Sequence, residues 1–452
     1  MNTHTNANPG LIYGVDERPP LRDTFFAAIQ HLLAIFVAII TPPLIIAKAM
    51  NLDLALTGFL VSMSLFASGL ATFVQCHRIG KVGCGLLCVQ GTSFSFIGPI
   101  IAIGTVSGLP TVFGACILAA PVEMIVSCTF RYLRRVITPL VSGIVVMLIG
   151  LTLIKAGVTA CGGGNADAPD FGSMQNLLVA AIVLVCVILF NISNNRYLRM
   201  SSIFLGVVVG YIAAFAMEMV DMTAIDTSTL GNFYVPIPFK LGFRVNVSSV
   251  IAIGIVYLVT AIEATGDVTA NSMISGLPVE GKDYVKRVSG GVMADGVNSA
   301  LAGIFSSFPN SIFAQNNGII QLTGVASRYV GYFISALLVL LGLFPVVGIA
   351  FSLMPSPVLG GATLLMFGTV AAAGVRIVAS QELDRKAILV LACSLSFGLG
   401  VELMPSVLQD MPDSVRTIFS SGITTGGLVA IIANIILNGF GSTNEKEHIK
   451  FK

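Results

Sequence analysis

The stretch YLVTAIEATGDVTA, Tyr257 to Ala270, sets two carboxylates into otherwise apolar sequence: Glu263 mid-stretch and Asp267 one helical turn later. An ionisable residue at the centre of a membrane helix costs roughly 2.5–3.5 kcal/mol, so each needs a reason. Residues four apart share a helix face, which turns both carboxylates toward one cavity. Each can accept hydrogen bonds from a ligand, or serve only as a polar contact within a helix bundle. Asp295, in SGGVMADGVNSALAG, lies among Gly, Ala and Ser residues that let helices approach closely. A carboxylate so enclosed can take up and release a proton, or act as a fixed hydrogen-bonding group. His31, in AAIQHLLAIF, is the one histidine expected inside a span, as a proton relay or a satisfied donor. Glu123, Glu218, Asp221 and Glu402 fall near span ends, within reach of water or a loop, and read as structural.

These residues are carried by a chain that needs lipid as solvent. Of 452 residues, 55% are hydrophobic and 10% charged, against roughly 25% charged in a soluble domain. Uncharged apolar runs of about 20 residues, the length that crosses a bilayer as a helix, fill nearly the whole sequence. No polar segment beyond the first 22 residues and the last dozen is long enough to fold separately, so one membrane domain is expected over 23–440. It lies between a polar segment, 1–22, and a tail, 441–452, and its two halves run over about 23–222 and 245–440. The start lacks a basic region, apolar core and small-residue cleavage site, and reads as a cytoplasmic segment rather than a signal peptide. The formal net charge of +2 is dispersed over short loops, which argues against a nucleic-acid partner. The eight cysteines show no CxxC or Cys/His ligand spacing and read as small packing residues.

Apolar runs place spans near 24–46, 54–75, 82–106, 110–129, 136–157, 175–195 and 202–220. Seven more follow near 248–275, 288–305, 309–326, 329–352, 357–377, 387–404 and 418–439, fourteen in all. From a cytoplasmic start, the inside loops collect 19 of the 24 Lys and Arg; only Lys48, Lys155, Lys240, Arg244 and Arg416 fall outside. That asymmetry obeys the positive-inside rule and puts both termini in the cytoplasm.

ITPLVSGIVVMLIG, from Ile137, and PSPVLGGATLLMFG, from Pro355, match at Pro139/Pro357, Gly143/Gly361 and Gly150/Gly368. These are the fifth and twelfth spans, seven apart, so the second repeat is inverted relative to the first, as in many secondary transporters. The third span, KVGCGLLCVQGTSFSFIGPIIAIG, and the tenth, SSFPNSIFAQNNGIIQLTG, carry Gly, Pro, Ser or Asn near their middles and should break there. Broken backbone at membrane depth is tolerated only where it is buried in protein or lines a cavity, which locates a substrate between these two spans.

QNNGIIQLTG, Gln315 to Gly324, fits a signature of Gln, Glu or Pro, then Asn, any residue, Gly, four residues, Thr, and Arg, Lys or Gly. With QHLLAIF at Gln30, GTSFSF at Gly91, RRVITPLVSGIVVMLIGL at Arg134, EATGD at Glu263 and GVASRYVG at Gly324, the chain resembles the nucleobase-ascorbate transporters throughout, and among them the bacterial xanthine permease type. The resemblance implies an all-α polytopic fold of fourteen spans in two inverted seven-span repeats. Spans three and ten would be broken, with short extended segments, and the whole divided into core and gate domains and paired as a homodimer in the bacterial inner membrane. It implies a proton-coupled symporter for an oxidised purine, xanthine or also urate, with protons as coupling ion and no other cofactor. Glu263 and Gln315 would hold the base, Phe94 and Ser93 complete the pocket, Asn316 and His31 support it, and Asp295 couple the proton, with Glu263 and His31 also counted among the proton-coupling residues. Ser93 stands where relatives vary in size and polarity, which leaves xanthine against urate open.

The chemistry agrees with those roles. Xanthine presents alternating N–H and C=O groups, to which a carboxylate accepts and a carboxamide both donates and accepts. A Phe face can stack on the ring. Another nucleobase, such as uracil, guanine or hypoxanthine, would use the same groups. An inverted-repeat anion exchanger would call for a basic site and usually a large C-terminal domain. A membrane-embedded enzyme would call for a metal or nucleophile constellation such as HExxH or GxSxG, and the sequence has neither motif.

Overall fold

A computed structural model describes residues 11–133, 138–220, 233–412, 415–416 and 419–438. Arg134, Arg135, Asp221 and the 441–452 tail with Lys446, Lys450 and Lys452 lie outside the described residues, as do residues 1–10. The chain is mostly helical, as its long apolar runs require. Its first half contains α1 (Leu21–Ala49), α2 (Leu54–His77), β1 (Gln90–Thr92), α3 (Ile97–Ser107), α4 (Leu109–Ala119), α5 (Pro121–Leu133), α6 (Pro139–Gly162), α7 (Met174–Asn191), α8 (Arg196–Met200) and α9 (Ser202–Ala216). The second contains α10 (Val247–Ile274), α11 (Gly281–Ile304), β2 (Asn310–Ile312), α12 (Gln315–Thr323), α13 (Arg328–Leu343), α14 (Pro345–Ser352), α15 (Ser356–Ala379), α16 (Arg385–Leu403) and α17 (Gly422–Asn438). Among the described residues, with the short α8 and the 3₁₀ turns at Phe94–Phe96 and Pro405–Leu408 set aside, the same order of element types occurs twice. Each half has two long helices, a three-residue strand, a short helix, a helix pair interrupted at a proline, a 24-residue helix and two further helices.

Among the described residues eight helical spans are long and apolar enough to cross a membrane, or nine when α13 and α14, bent by 75°, count as one. The chain is thus a polytopic membrane protein with about eight or nine such spans. The expected spans without a helix of that kind have visible reasons. Two give part of their length to β1 and β2, leaving α3 and α12 short, and α9 and α17 are 15 and 17 residues long. In α11 the first turns carry Lys282, Asp283, Lys286 and Arg287.

Helix ends are fixed by side chains that the sequence places at the caps. Asp53 accepts from Leu56 N–H at 2.7 Å, Asp384 from Ala387 N–H at 2.7 Å and Asn246 from Ser249 N–H at 3.0 Å, each satisfying an otherwise orphaned donor. The two repeated helices, α6 and α15, pack on each other in antiparallel sense. A methyl built on Gly143 would stand 2.9 Å from Val378 N and one on Gly157 3.2 Å from Leu364 Cα, while Gly150 faces the Ala371 backbone between them. Glycine at each seventh position is what lets these backbones meet. Among the long apolar helices α7 and α16 are the least buried, at 28% and 22% of their apolar stretch against 78% for α2.

Residues 11–18 lie along the α12–α13 connection. Gly324 O accepts from Ile12 and Tyr13 N–H at 2.7 and 3.1 Å, Tyr13 O accepts from Ala326 N–H at 2.9 Å, and Val15 O accepts from Arg328 N–H at 3.0 Å. An Arg328–Asp16 ion pair at 2.6 Å and a Ser327 hydroxyl donating to Glu17 O at 2.6 Å complete this strap.

Candidate functional site

The third and tenth expected spans meet through their strands. β1 and β2 pair antiparallel, with Gln90 opposite Ile312, Gly91 opposite Ser311 and Thr92 opposite Asn310. Flanking bonds lengthen the ladder: Ser93 N–H donates to Pro309 O at 2.8 Å and Phe313 N–H to Val89 O at 3.0 Å. Both strands are wholly buried, so each must satisfy its backbone groups within the protein, and pairing does so. Gly91 is required here, because a methyl on it would stand 2.5 Å from the Phe313 ring and 2.6 Å from Ile39.

Beyond the strands a cavity of about 1330 Å³ opens between α6, α10, α12 and α15. It exceeds the roughly 300–1,000 Å³ of ordinary small-molecule sites, so it has room for a small ligand and a way in. The path leads to the end of the bundle where α6 begins and α10 and α15 finish, past Leu11, Tyr284 and Arg376. At the other end, part-buried Lys48 of α1 donates to Met354 O at 3.2 Å and bonds Ser356 Oγ at 2.7 Å, tying α1 to the start of α15.

Glu263, Asp267, Gln315 and Phe94 all line this cavity, brought together from α10, α12 and the turn after β1. The Glu263 carboxylate accepts one long bond, from Ser95 Oγ at 3.4 Å, which leaves acceptor capacity facing the cavity. Gln315 is the first residue of α12, where a helix has backbone N–H groups without intrahelical partners. The Phe94 ring stands edge-on to Phe367, centroids 5.4 Å apart, and 6.4 Å from Phe313, so three aromatics form an apolar wall.

The other residues named from sequence stand behind this wall rather than on it. Ser93 is 2% exposed, and Asn316 is fully buried, donating to Leu87 O. His31 is buried beside Asn316. Asp295 on α11 is enclosed in amides: Gln90 and Gln75 both donate to its Oδ1, the latter at 3.3 Å. Gln90 Oε1 in turn accepts from Asn298 at 2.6 Å, and Gln75 Nε2 also reaches Gly291 O at 2.9 Å.

Several members of the site were not singled out from sequence. Gln75 and Gln90 hold Asp295 and Asn298 holds Gln90, while Asn271 joins Leu87 O and Asn317 Oδ1, each at 2.9 Å, and so ties α10 to both broken segments. Their one sequence signal is that each is a carboxamide inside an apolar run. Phe313 and Phe367 gave no signal among 28 phenylalanines. Glu123 differs from expectation: it is wholly buried on α5, not at a wet span end, with Thr260 Oγ1 donating to its Oε1 at 3.1 Å. Its run continues past Glu123 into the interior, with α5 packed against α10 and α11. Glu402, by contrast, is near a helix end and accepts from Gly422 N–H at 3.2 Å, and Glu218 is exposed after α9. Among the described residues no group of three His, Cys, Asp or Glu could hold a metal ion.

A family model described as a permease family matches residues 22–407. The chain is 48% identical over 440 residues to the xanthine permease XanP of Escherichia coli (strain K12), covering 95% of each chain. It is 43% identical to xanthine permease XanQ of the same organism, over 97% of this chain and 96% of that one. It is 34% identical to the uric acid permease PucJ of Bacillus subtilis (strain 168), over 92% of each. Among solved structures it resembles SLC26A9, with a TM-score of 0.63 at 13% identity, covering 93% of this chain and 66% of that longer one. It also resembles the transmembrane domain of a cyanobacterial bicarbonate transporter, BicA, with a TM-score of 0.55 at 14% identity, covering 94% and 100%. At such identities these two likenesses concern the fold. The sequence relatives and the matched family model go further: the chain belongs to the nucleobase-ascorbate transporter family and is a transporter, not an enzyme.

Proposed function

We propose that this protein is a proton-coupled symporter that imports an oxidised purine, xanthine first and urate second, across a bacterial inner membrane. The observation that carries the reading is the convergence of Glu263 and Gln315 on one cavity beside the Phe94 ring. A carboxylate accepts from purine N–H groups, a carboxamide both donates and accepts, and the ring covers a face of the base. The names of the relatives, two xanthine permeases and a uric acid permease, support the same substrate class. Ser93, buried behind Phe94, sets the depth of the pocket, and Asn316 and His31 brace α12 from behind.

The architecture we assign is fourteen spans in two inverted seven-span repeats, with both termini cytoplasmic. The twofold order of elements and the antiparallel α6–α15 seam support it. A core domain carries β1, β2, α10 and α11, a gate domain carries α6 and α15, and two copies pair in the membrane. The cavity then faces the cytoplasm, with Lys48 closing the outer side. Asp295, caged but without a charge partner among the described residues, carries the coupling proton. A second reading, anion exchange, draws on the shared fold of SLC26A9 and BicA. The two carboxylates at the heart of the cavity disfavour it, since an anion meets like charge there.

Uptake of radiolabelled xanthine in a permease-deficient bacterium tests the proposal, with unlabelled xanthine, urate, hypoxanthine, guanine, uracil, sulfate and bicarbonate as competitors. Xanthine and then urate should compete, and a protonophore should abolish accumulation. Competition by sulfate or bicarbonate alone would sink the purine reading.

A further inference from the structure

Glu123 is a buried carboxylate that the proposed mechanism leaves unused. It sits on α5 where that helix is wedged between α10 and α11. Ser127, one turn on, exchanges hydrogen bonds with Ser289 of α11 at 2.7 and 2.9 Å. On the same face, a methyl built on Gly296, the neighbour of Asp295, would stand 3.1 Å from Ala120 O and 3.0 Å from Met124. Glu123 therefore lies at the level of Asp295. Its link to α10 is the Thr260 hydroxyl, one turn before Glu263 on the same helix. Its other oxygen, Oε2, is buried without a hydrogen-bond partner, and so is Asp295 Oδ2.

Thr260 also has a second acceptor within reach, Tyr257 O at 3.3 Å. A hydroxyl has one hydrogen to give. When Glu123 is ionised, Thr260 donates to it; when Glu123 holds a proton, it can donate to Thr260, whose hydrogen then turns to Tyr257 O. The pair has two complete hydrogen-bond arrangements that differ by one proton on Glu123. The titratable groups around it are Glu263, Asp267 and Tyr257 on α10, Asp295 on α11 and Cys116 on α4, to whose carbonyl Tyr257 OH donates at 3.0 Å. None of these acids is ion-paired to a described basic residue. Glu123 and Asp295 are enclosed at one level while Glu263 and Asp267 face the cavity, and like charges gathered so closely do not change protonation independently.

We propose that Glu123 is a further proton-holding carboxylate of the transport site beside Asp295, and that Thr260 is the switch linking it to the helix that carries Glu263. The transport role rests on proton coupling as proposed above. The experiment is pH-difference infrared spectroscopy of the purified full chain in vesicles, comparing parent, Glu123→Gln and Thr260→Val, with xanthine-binding pH profiles of the same samples. In Glu123→Gln one component of the titrating carboxylic C=O bands should vanish, and the binding profile should move by about one pH unit toward acid, because a like charge is gone. In Thr260→Val the component should persist at a shifted frequency, its hydrogen bond lost. Unchanged spectra in both variants would overturn the proposal. So would weaker binding in Glu123→Gln at every pH with no shift of profile, which marks a merely structural group. A protonophore without effect on parental uptake would overturn coupling, and the transport role of Glu123 with it, while the infrared band would still report separately whether Glu123 holds a proton.

Discussion

Asp295 and Glu263 are both carboxylates at membrane depth, yet their surroundings are opposite. Asp295 is fully buried, with two amide donors on one oxygen and a third amide, from Asn298, fixing one of those donors. Glu263 is partly exposed to the cavity and accepts a single bond at 3.4 Å. A group enclosed by protein on every side cannot meet a ligand, whereas one on a cavity wall with a single long bond has acceptor capacity left for one. The difference supports the division of tasks proposed above, which sequence alone runs together: changing protonation inside the protein, and gripping substrate.

The largest expected effect tests the enclosed side. Asp295→Asn keeps the shape and the cage, because an amide oxygen can still accept from Gln75 and Gln90, but it cannot release a proton. A membrane potential supplies roughly 2.3 kcal/mol per charge per 100 mV, about fifty-fold accumulation of a neutral substrate, and this should disappear. Equilibrium binding of xanthine to the purified variant should survive. Proton-driven accumulation persisting in Asp295→Asn would remove it from the mechanism and dissolve the contrast.

Glu263→Gln addresses the open side. A charge-assisted hydrogen bond of about 1.5–3 kcal/mol is weakened and a donor can now face a donor, so xanthine binding should fall about ten-fold or more. Calorimetry on purified protein reads this directly. If binding is unchanged and only transport fails, Glu263 belongs with Asp295 and the two tasks are not divided as argued. Gln315→Glu sharpens the same point with a smaller effect. It puts a second carboxylate on the cavity near Glu263, and two such groups do not ionise independently. Binding should become newly pH-dependent and ligand preference should change, without outright loss; competition assays at several pH values would show it.

How much of this was legible beforehand follows from what each residue costs. Glu263 and Asp295 stood out because a carboxylate inside an apolar run is expensive, and Gln315 because a signature surrounds it. The broken spans were visible through their Gly, Pro and Asn. The amide cage was not: Gln90 and Gln75 reach Asp295 across 205 and 220 positions, and no local periodicity encodes such a contact. Three-residue strands likewise carry too little pattern to announce that β1 pairs with β2. Glu123 was misplaced for a related reason. Its place near the end of an apolar run suggests water within reach, and nothing local encodes that α10 and α11 cover that end of α5.

The smallest effect falls on the part of the site that sequence could not mark, the aromatic wall. Phe367 comes from α15, one of the two repeated helices, and its ring meets Phe94 edge-on at 83°. Such a pair contributes about 0.5–1.5 kcal/mol beyond the area it buries. In Phe367→Leu the apolar lining remains while the Phe94 ring loses its edge contact and is held less firmly. Xanthine affinity should then drop about two- to ten-fold. Because no hydrogen-bonding group changes, pH dependence and the ranking of purines should stay as in the parent. An altered ranking would mean that α15 takes part in reading the polar edge of the base, and Glu263 and Gln315 would no longer suffice as the recognition pair.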